Sequence, residues 1–194
     1  MARKMNMILM ENVDALKRRL SAWRRWRSDR RGLAAIEFAM IFPVMVGMYM
    51  GSVEISQVLT LDRKITTITA ATSDLVAQEK TIDDTMIADI FAAASSMIVP
   101  YDELQITIVV SSVVADPDDG STTVDWSDTL KGTARTPGQA VTVPAGLIGP
   151  GESLIYTEVT YQYDSIIGHF VSDGFTIDDK FYAKPRRTLK IIRE

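Results

Sequence analysis

The chain contains no cysteine and a single histidine, His169. The first absence excludes disulfide stapling, thiol catalysis and cysteine-rich metal sites. Together the two make a zinc centre improbable on composition, because zinc draws its ligands chiefly from these two residue types. No glycine-rich loop has phosphate-binding spacing. One apolar run, Leu33 to Val53 (LAAIEFAMIFPVMVGMYMGSV), lacks charge except at Glu37. No small-residue A-x-A cleavage signal closes that run; the sequence there is Val53-Glu54-Ile55-Ser56-Gln57, which argues against a conventional secretory signal. These absences leave no catalytic constellation, and the chain reads as a non-enzyme with no cofactor and no metal.

What is present is sharply partitioned. The net charge is −4, but residues 1–32 carry ten basic and three acidic groups. That stretch therefore holds +7 and leaves −11 on the remainder. A basic front and an acidic body suggest two compartments, not a nucleic-acid partner. The basic cluster Arg24, Arg25, Arg27, Arg30 and Arg31 directly precedes the apolar run. At about 1.5 Å per residue that run is long enough to cross a bilayer. Lys and Arg stay on the cytoplasmic side. The expected topology is thus a single pass through the inner membrane, with the N-terminus cytoplasmic and the C-terminal head periplasmic.

Gly32 separates the basic cluster from the apolar run, and Glu37 is the fifth residue after it, followed by Phe38. An ionised, unpaired carboxylate one turn into a membrane helix costs up to a few kcal/mol, so something must answer it. The pattern R-R-G/L-A-A-I-E-F resembles the class III signal of type IV pilins. In that family a prepilin peptidase cuts after the glycine on the cytoplasmic face and the apolar segment is retained. The resemblance makes Gly32 and Leu33 the processing site, with the ammonium of Leu33 as the new N-terminus. Glu37, with Phe38 beside it, would then neutralise that ammonium on a neighbouring subunit during assembly. An uncleaved signal anchor with Glu37 near the headgroups is the alternative reading of the same residues.

Further stretches extend the resemblance along most of the chain: AAIEFAMIFPVM, ATSDLVAQ, VSSVVAD, Val124-Asp125-Trp126-Ser127, Val143-Pro144-Ala145-Gly146-Leu147 and FYAKPRR. They are similar to TadE-like proteins of the alphaproteobacterial type. That family implies a minor pseudopilin of a tight-adherence (Tad) pilus, serving pilus biogenesis, adhesion and biofilm formation, with the extracellular pilus as a second location. Its implied partners are the membrane, the prepilin peptidase and other pilins and pseudopilins. The family's usual Glu-Tyr pair is Glu37-Phe38 here, and Leu33 differs from the Phe or Met starts on which N-methylation is known. An uncleaved, TadG-like accessory protein of the same machine is the second reading.

Three segments follow: a basic leader over 1–32, a transmembrane helix continuing as a spine over 33–80, and a head over 81–194. In the leader, Val13, Leu16, Leu20 and Trp23 fall at helical spacing, and Met5, Met7 or Met10 are alternative starts. The helix is expected from Leu33 to Gln78, kinked at Pro43. Gly47 and Gly51 form a G-x-x-x-G pair. Ile55, Val58, Leu61, Ile65, Ile68 and Leu75 continue the apolar face. A second helix is expected from Asp83 to Met97, capped by Thr81 or Asp83, with a stripe of Ile87, Ile90, Phe91 and Ala94, and ended by Pro100. Strands are expected over Leu104–Val114, Thr122–Trp126, Ala140–Val143, Leu154–Asp164 and Ile177–Ala183, with a turn at Asp116–Gly120. The acidic turn lacks the distal Glu of a calcium loop and reads as a solvated turn. The basic end of the chain reads as a charged strand end that discourages edge pairing. The expected fold is α+β and pilin-like, with a long N-terminal transmembrane helix, a second helix and a small antiparallel sheet.

Overall fold

The computed structural model describes residues 32–165 and 174–194. Residues 1–31 of the leader and His169 lie outside them. Helix α1 runs Leu33–Ala77, and helix α2 runs Asp84–Ser96. The two-residue strand β1 (Thr81–Ile82) lies between them. A 3-10 turn at Glu103–Gln105 leads into β2 (Ile106–Ala115), followed by β3 (Thr122–Leu130), β4 (Ser153–Tyr163), β5 (Phe175–Ala183) and β6 (Ile192–Arg193). The main sheet has the order β3-β2-β4-β5, antiparallel throughout. This is the expected α+β plan. The chain divides into two compact units, residues 1–51 and 52–194.

In the second unit, the C-terminal part of α1 supplies one wall of the core. Leu61, Ile65 and Ile68 are fully buried with Ile106, Ile108, Val110, Ile155, Val159 and Tyr161 of the sheet. Burying an aliphatic side chain of this size contributes about 1.5–3 kcal/mol. Ile55 and Leu75, expected on this face, are instead exposed. Thr69, Thr72, Ser73 and Val76 take the buried positions. Two of these polar residues can be buried because the Thr69 and Thr72 hydroxyls donate to the carbonyls of Ile65 and Ile68, one turn back, at 2.7 Å each. The apolar stripe expected from Ile55 to Leu75 therefore gives way in its last turns to a buried Thr/Ser face.

Helix α2 forms as its sequence dictates. Asp83 is the N-cap in extended geometry, and its carboxylate accepts from the Met86 N–H at 2.7 Å. Asp84 places negative charge in the first turn, where the helix dipole favours it. Ile87, Ile90, Phe91 and Ala94 are all buried in the core. Replacing Asp83 with Ala should cost about 1 kcal/mol. Thermal unfolding followed by circular dichroism would register it as a fall of a few degrees, and Asp83→Asn should restore most of it.

The strands depart from expectation in four places. Leu104 sits in the 3-10 turn at 75% exposure rather than inside a strand, because the Asp102 carboxylate accepts from the Leu104 N–H and turns the chain there. Strand β3 extends to Leu130, beyond Trp126, since β2 offers partners as far back as Ile108. Residues 140–143 form no strand. A single bridge joins Ala140 to Thr123, in a segment rich in Gly and Pro. Strand β5 begins at Phe175, two residues before Ile177, because Tyr163 and Gln162 of β4 still offer partners there. A register shift between Ser112 and Val113 leaves Asp125 without an opposite residue on β2.

The basic end of the chain does not repel an edge; it closes the fold. β6 pairs in parallel with β1, with Thr81 opposite Ile192. Ile191 is fully buried, and the buried Trp126 indole N–H donates to its carbonyl at 3.0 Å. Lys184, Arg186, Lys190 and Arg193 each meet a carboxylate from an earlier part of the chain. Lys184 pairs with Glu152, Arg186 with Asp74, and Lys190 with Asp125, the residue set apart by the register shift. Arg193 grips both oxygens of Asp128 and also reaches Asp84. Its guanidinium is held more strongly protonated than usual, first by the Asp128 bond and then, against burial, by Asp84.

Candidate processing and assembly site

Gly32 is a turn residue whose carbonyl accepts the first helical hydrogen bond, from the Ile36 N–H at 3.2 Å. Leu33 opens the helix, and Glu37 and Phe38 follow within two turns, all exposed. Gly32, Leu33, Glu37 and Phe38 thus lie together at one helix start. Phe38 packs on Phe42 with ring centroids 5.4 Å apart. Pro43 lies inside an unbroken helix. Its missing N–H leaves the Ala39 carbonyl without the usual partner four residues on.

Among the described residues nothing covers this segment. Over the apolar window of α1 the mean hydropathy is 1.8 and nothing is buried, so the helix is long and apolar enough to cross a membrane. Met40 is 74% exposed and Met48 72%. An exposed apolar surface of that extent marks a membrane or protein interaction site. Glycine gives the same indication. A Cβ added at Gly32, Gly47 or Gly51 would meet nothing within 4 Å. No contact among the described residues requires glycine at those positions.

Sequence reasoning missed a second carboxylate on α1. Glu54 accepts from the Tyr163 hydroxyl at 3.0 Å, tying the helix to the end of β4. No local pattern announces a pair 109 residues apart. Burial, reinforced by the Glu54 bond and its charge, pushes the Tyr163 hydroxyl up to about 12 from an ordinary 10. A raised folded-state value means that this group's stabilising contribution is complete below pH 10 and is lost as pH rises through about 12. Tyrosinate absorbance during alkaline titration should show a late-ionising class. Glu54→Gln should move it toward the ordinary value, and an unchanged profile would refute the pairing.

The acidic turn is internally satisfied. Asp116 accepts from the Asp118 N–H at 2.8 Å, and Asp119 from the Ser121 N–H at 2.7 Å. The Ser121 bonds hold the Asp119 carboxyl below its usual range. Gly120 adopts φ 71°, which the turn requires. Among the described residues no three His, Asp or Glu converge as a metal would need.

An exposed apolar helix that begins at Leu33, just after Gly32, and carries Glu37 in its second turn defines an α+β protein with one helix, among the described residues, long and apolar enough to cross a membrane. Comparison with known families gives the particular likeness: residues 32–73 match the model described as TadE-like protein. The stretch from Gly32 to Ser73 is thus similar to TadE-like proteins; the match begins at the glycine and ends within α1. No curated protein and no solved structure matches the chain.

Proposed function

We propose that this chain is a minor, pilin-like subunit of a Tad pilus assembly system, anchored in the inner membrane with its head in the periplasm. A prepilin peptidase cleaves after Gly32, and the new ammonium of Leu33 is met by Glu37 of a neighbouring subunit. The observation that carries this reading is a carboxylate in the second turn of a helix whose residues 33–50 are exposed and otherwise without charge. Glu37 stands about one turn, roughly 6 Å, along the axis from Leu33. Helices sliding past one another by about one turn bring the amine of one beside the carboxylate of the next. Two opposite charges at about 4 Å and an effective dielectric of about 20 attract by about 4 kcal/mol. That is enough to offset the cost of placing the carboxylate in lipid. Pro43 supports the same reading, since neighbouring helices can satisfy the carbonyl it frees.

The acidic head and the basic residues before Gly32 support the orientation. The chain takes a structural part in pilus biogenesis and, through the pilus, in adhesion; it performs no catalysis. The test is the intact mass of the protein from membranes of cells that contain the peptidase. The expected chain starts at Leu33. Retention of residues 1–32 would favour an uncleaved, TadG-like accessory protein.

A further inference from the structure

Two features of the second unit face outward, and each offers what the other can bind. The first is the 3-10 turn before β2. The Asp102 carboxylate accepts from the Leu104 N–H at 2.9 Å, and the Lys131 ammonium donates to the Glu103 carbonyl. These bonds fix the turn with Leu104 75% exposed. The Glu103 carboxylate, next to it, makes no ion pair among the described residues. The second feature is an open groove of about 320 Å³ between α1 and the end of α2, lined by Thr60, Arg63, Lys64, Thr67, Ile68 and Met97. Ile68 is buried, so Met97, 37% exposed, supplies the accessible apolar surface. The Thr60 and Thr67 hydroxyls are spent on the Ser56 and Arg63 carbonyls, one turn back. The Lys64 ammonium donates to the Met97 and Val99 carbonyls at 3.1 and 2.8 Å, which fixes it and leaves one N–H. Arg63 is exposed and makes no ion pair among the described residues. No Asp or Glu lines the groove.

Charge selects the occupant. A groove whose unspent donors are cationic takes a carboxylate, and the Met97 thioether beside them takes an apolar side chain. The turn offers both in adjacent residues, Glu103 and Leu104. We propose that the turn at residues 102–105 of one copy of this chain docks in the α1–α2 groove of a second copy, with Leu104 on Met97 and Glu103 on Arg63. The Tyr101 hydroxyl donates to the Gln57 carbonyl at 3.2 Å, so the turn begins beside Gln57, whereas the groove reaches from Thr60 to Thr67. Lys64, within the groove, lies about 10 Å beyond Gln57 along the helix. In copies whose α1 helices run parallel, a two-fold axis along the helices leaves turn and groove at different heights. The contact is therefore head-to-tail, each copy shifted by about 10 Å, and it can repeat from copy to copy. An exposed ion pair adds little affinity; its part is to fix which residues meet. The contact lies within residues 52–194 and needs no cleavage at Gly32.

The experiment uses the full chain and exploits its lack of cysteine. Two differently tagged copies, one carrying Met97→Cys and the other Leu104→Cys, are produced in the same membranes and oxidised mildly. A disulfide joining the two tags is expected in several-fold excess over a control pair, Asp118→Cys with Leu104→Cys, since Asp118 is exposed in the turn after β2. Mixed crosslinking no higher than this control overturns the proposal and leaves the groove to lipid or to a different subunit. Leu104→Cys crosslinking equally well to itself makes the contact turn-to-turn and overturns it too. Glu103→Arg, added to the Leu104→Cys copy, should reduce the mixed disulfide several-fold, and Arg63→Glu in the Met97→Cys copy should restore it. A crosslink indifferent to Glu103→Arg, or not restored by the reversed pair, overturns the proposed docking. Arg63, Met97, Glu103 and Leu104 are all exposed, so these substitutions leave the core untouched. Intact mass reads cleavage separately. A chain that keeps residues 1–32 yet forms the mixed disulfide loses the processing reading and supports this contact.

Discussion

Trp126→Ala is expected to remove about 3–5 kcal/mol of stability, the usual cost of deleting a buried indole. Trp126 is 6% exposed, belongs to the main core, and donates to the carbonyl of Ile191, which is itself fully buried. Domains are stable by only about 5–15 kcal/mol, so the loss is a large fraction of the whole. For a unit of this size it lowers the midpoint by about 10 °C. The damage should spread along one route. With Ile191 unanchored, the hydrogen bonds from the Ile192 N–H to the Lys80 carbonyl and from the Glu194 N–H to the Ile82 carbonyl lose their support. Amide exchange at Ile192 and Glu194 should therefore accelerate more than exchange in β2 or β4. Trp126→Phe keeps much of the volume but leaves the Ile191 carbonyl unpaired, and should cost about 1–3 kcal/mol. Uniform acceleration across the sheet would mean that Trp126 acts through the core at large and not by fastening the tail.

The tail illustrates which parts of this fold were legible in the sequence. Helix α2 could be read because its signals are local. A capping Asp83, a stripe at Ile87, Ile90, Phe91 and Ala94, and a nearby Pro100 all fall within one short window. The inward face of β4 was equally legible, since Ile155, Val159, Tyr161 and Tyr163 alternate and all four lie in the core. The closure by residues 184–194 was not. It depends on Arg186 meeting Asp74 across 112 positions and Lys190 meeting Asp125 across 65, and a basic run looks the same whether it is solvated or paired. The exposed Ile55 and Leu75 show the complementary limit. Hydrophobicity ranks them above Thr69 and Thr72, but hydroxyls that bond within their own helix can be buried at little cost. The candidate site, by contrast, is contiguous, and Gly32, Leu33, Glu37 and Phe38 could be named because one short window carries the resemblance to a pilin signal. Its companion contact, Glu54 with Tyr163, needed the folded chain.

The largest functional effects are expected at that contiguous site, and two variants separate its two roles. Gly32→Val should block cleavage, because a branched side chain resists the extended conformation that a protease cleft demands. No contact among the described residues opposes the change, since a Cβ at Gly32 meets nothing within 4 Å there. The variant should therefore fold and insert normally while its intact mass retains residues 1–32. Glu37→Gln should do the reverse. The chain is cut, but the ammonium of Leu33 finds no carboxylate, and an attraction of about 4 kcal/mol is lost from each subunit contact. At about 1.4 kcal/mol per tenfold change, co-purification with the other pilins should fall by roughly a thousandfold. The double variant provides the sharper test. Without cleavage no amine exists at Leu33, so Glu37 has nothing to lose, and Gly32→Val with Glu37→Gln should assemble no worse than Gly32→Val alone. Coupled residues depart from additivity in this way, whereas independent ones add. If the double variant instead shows the summed defect, Glu37 serves some partner other than the new N-terminus. If Glu37→Gln by itself leaves co-purification intact, the carboxylate has no part in assembly.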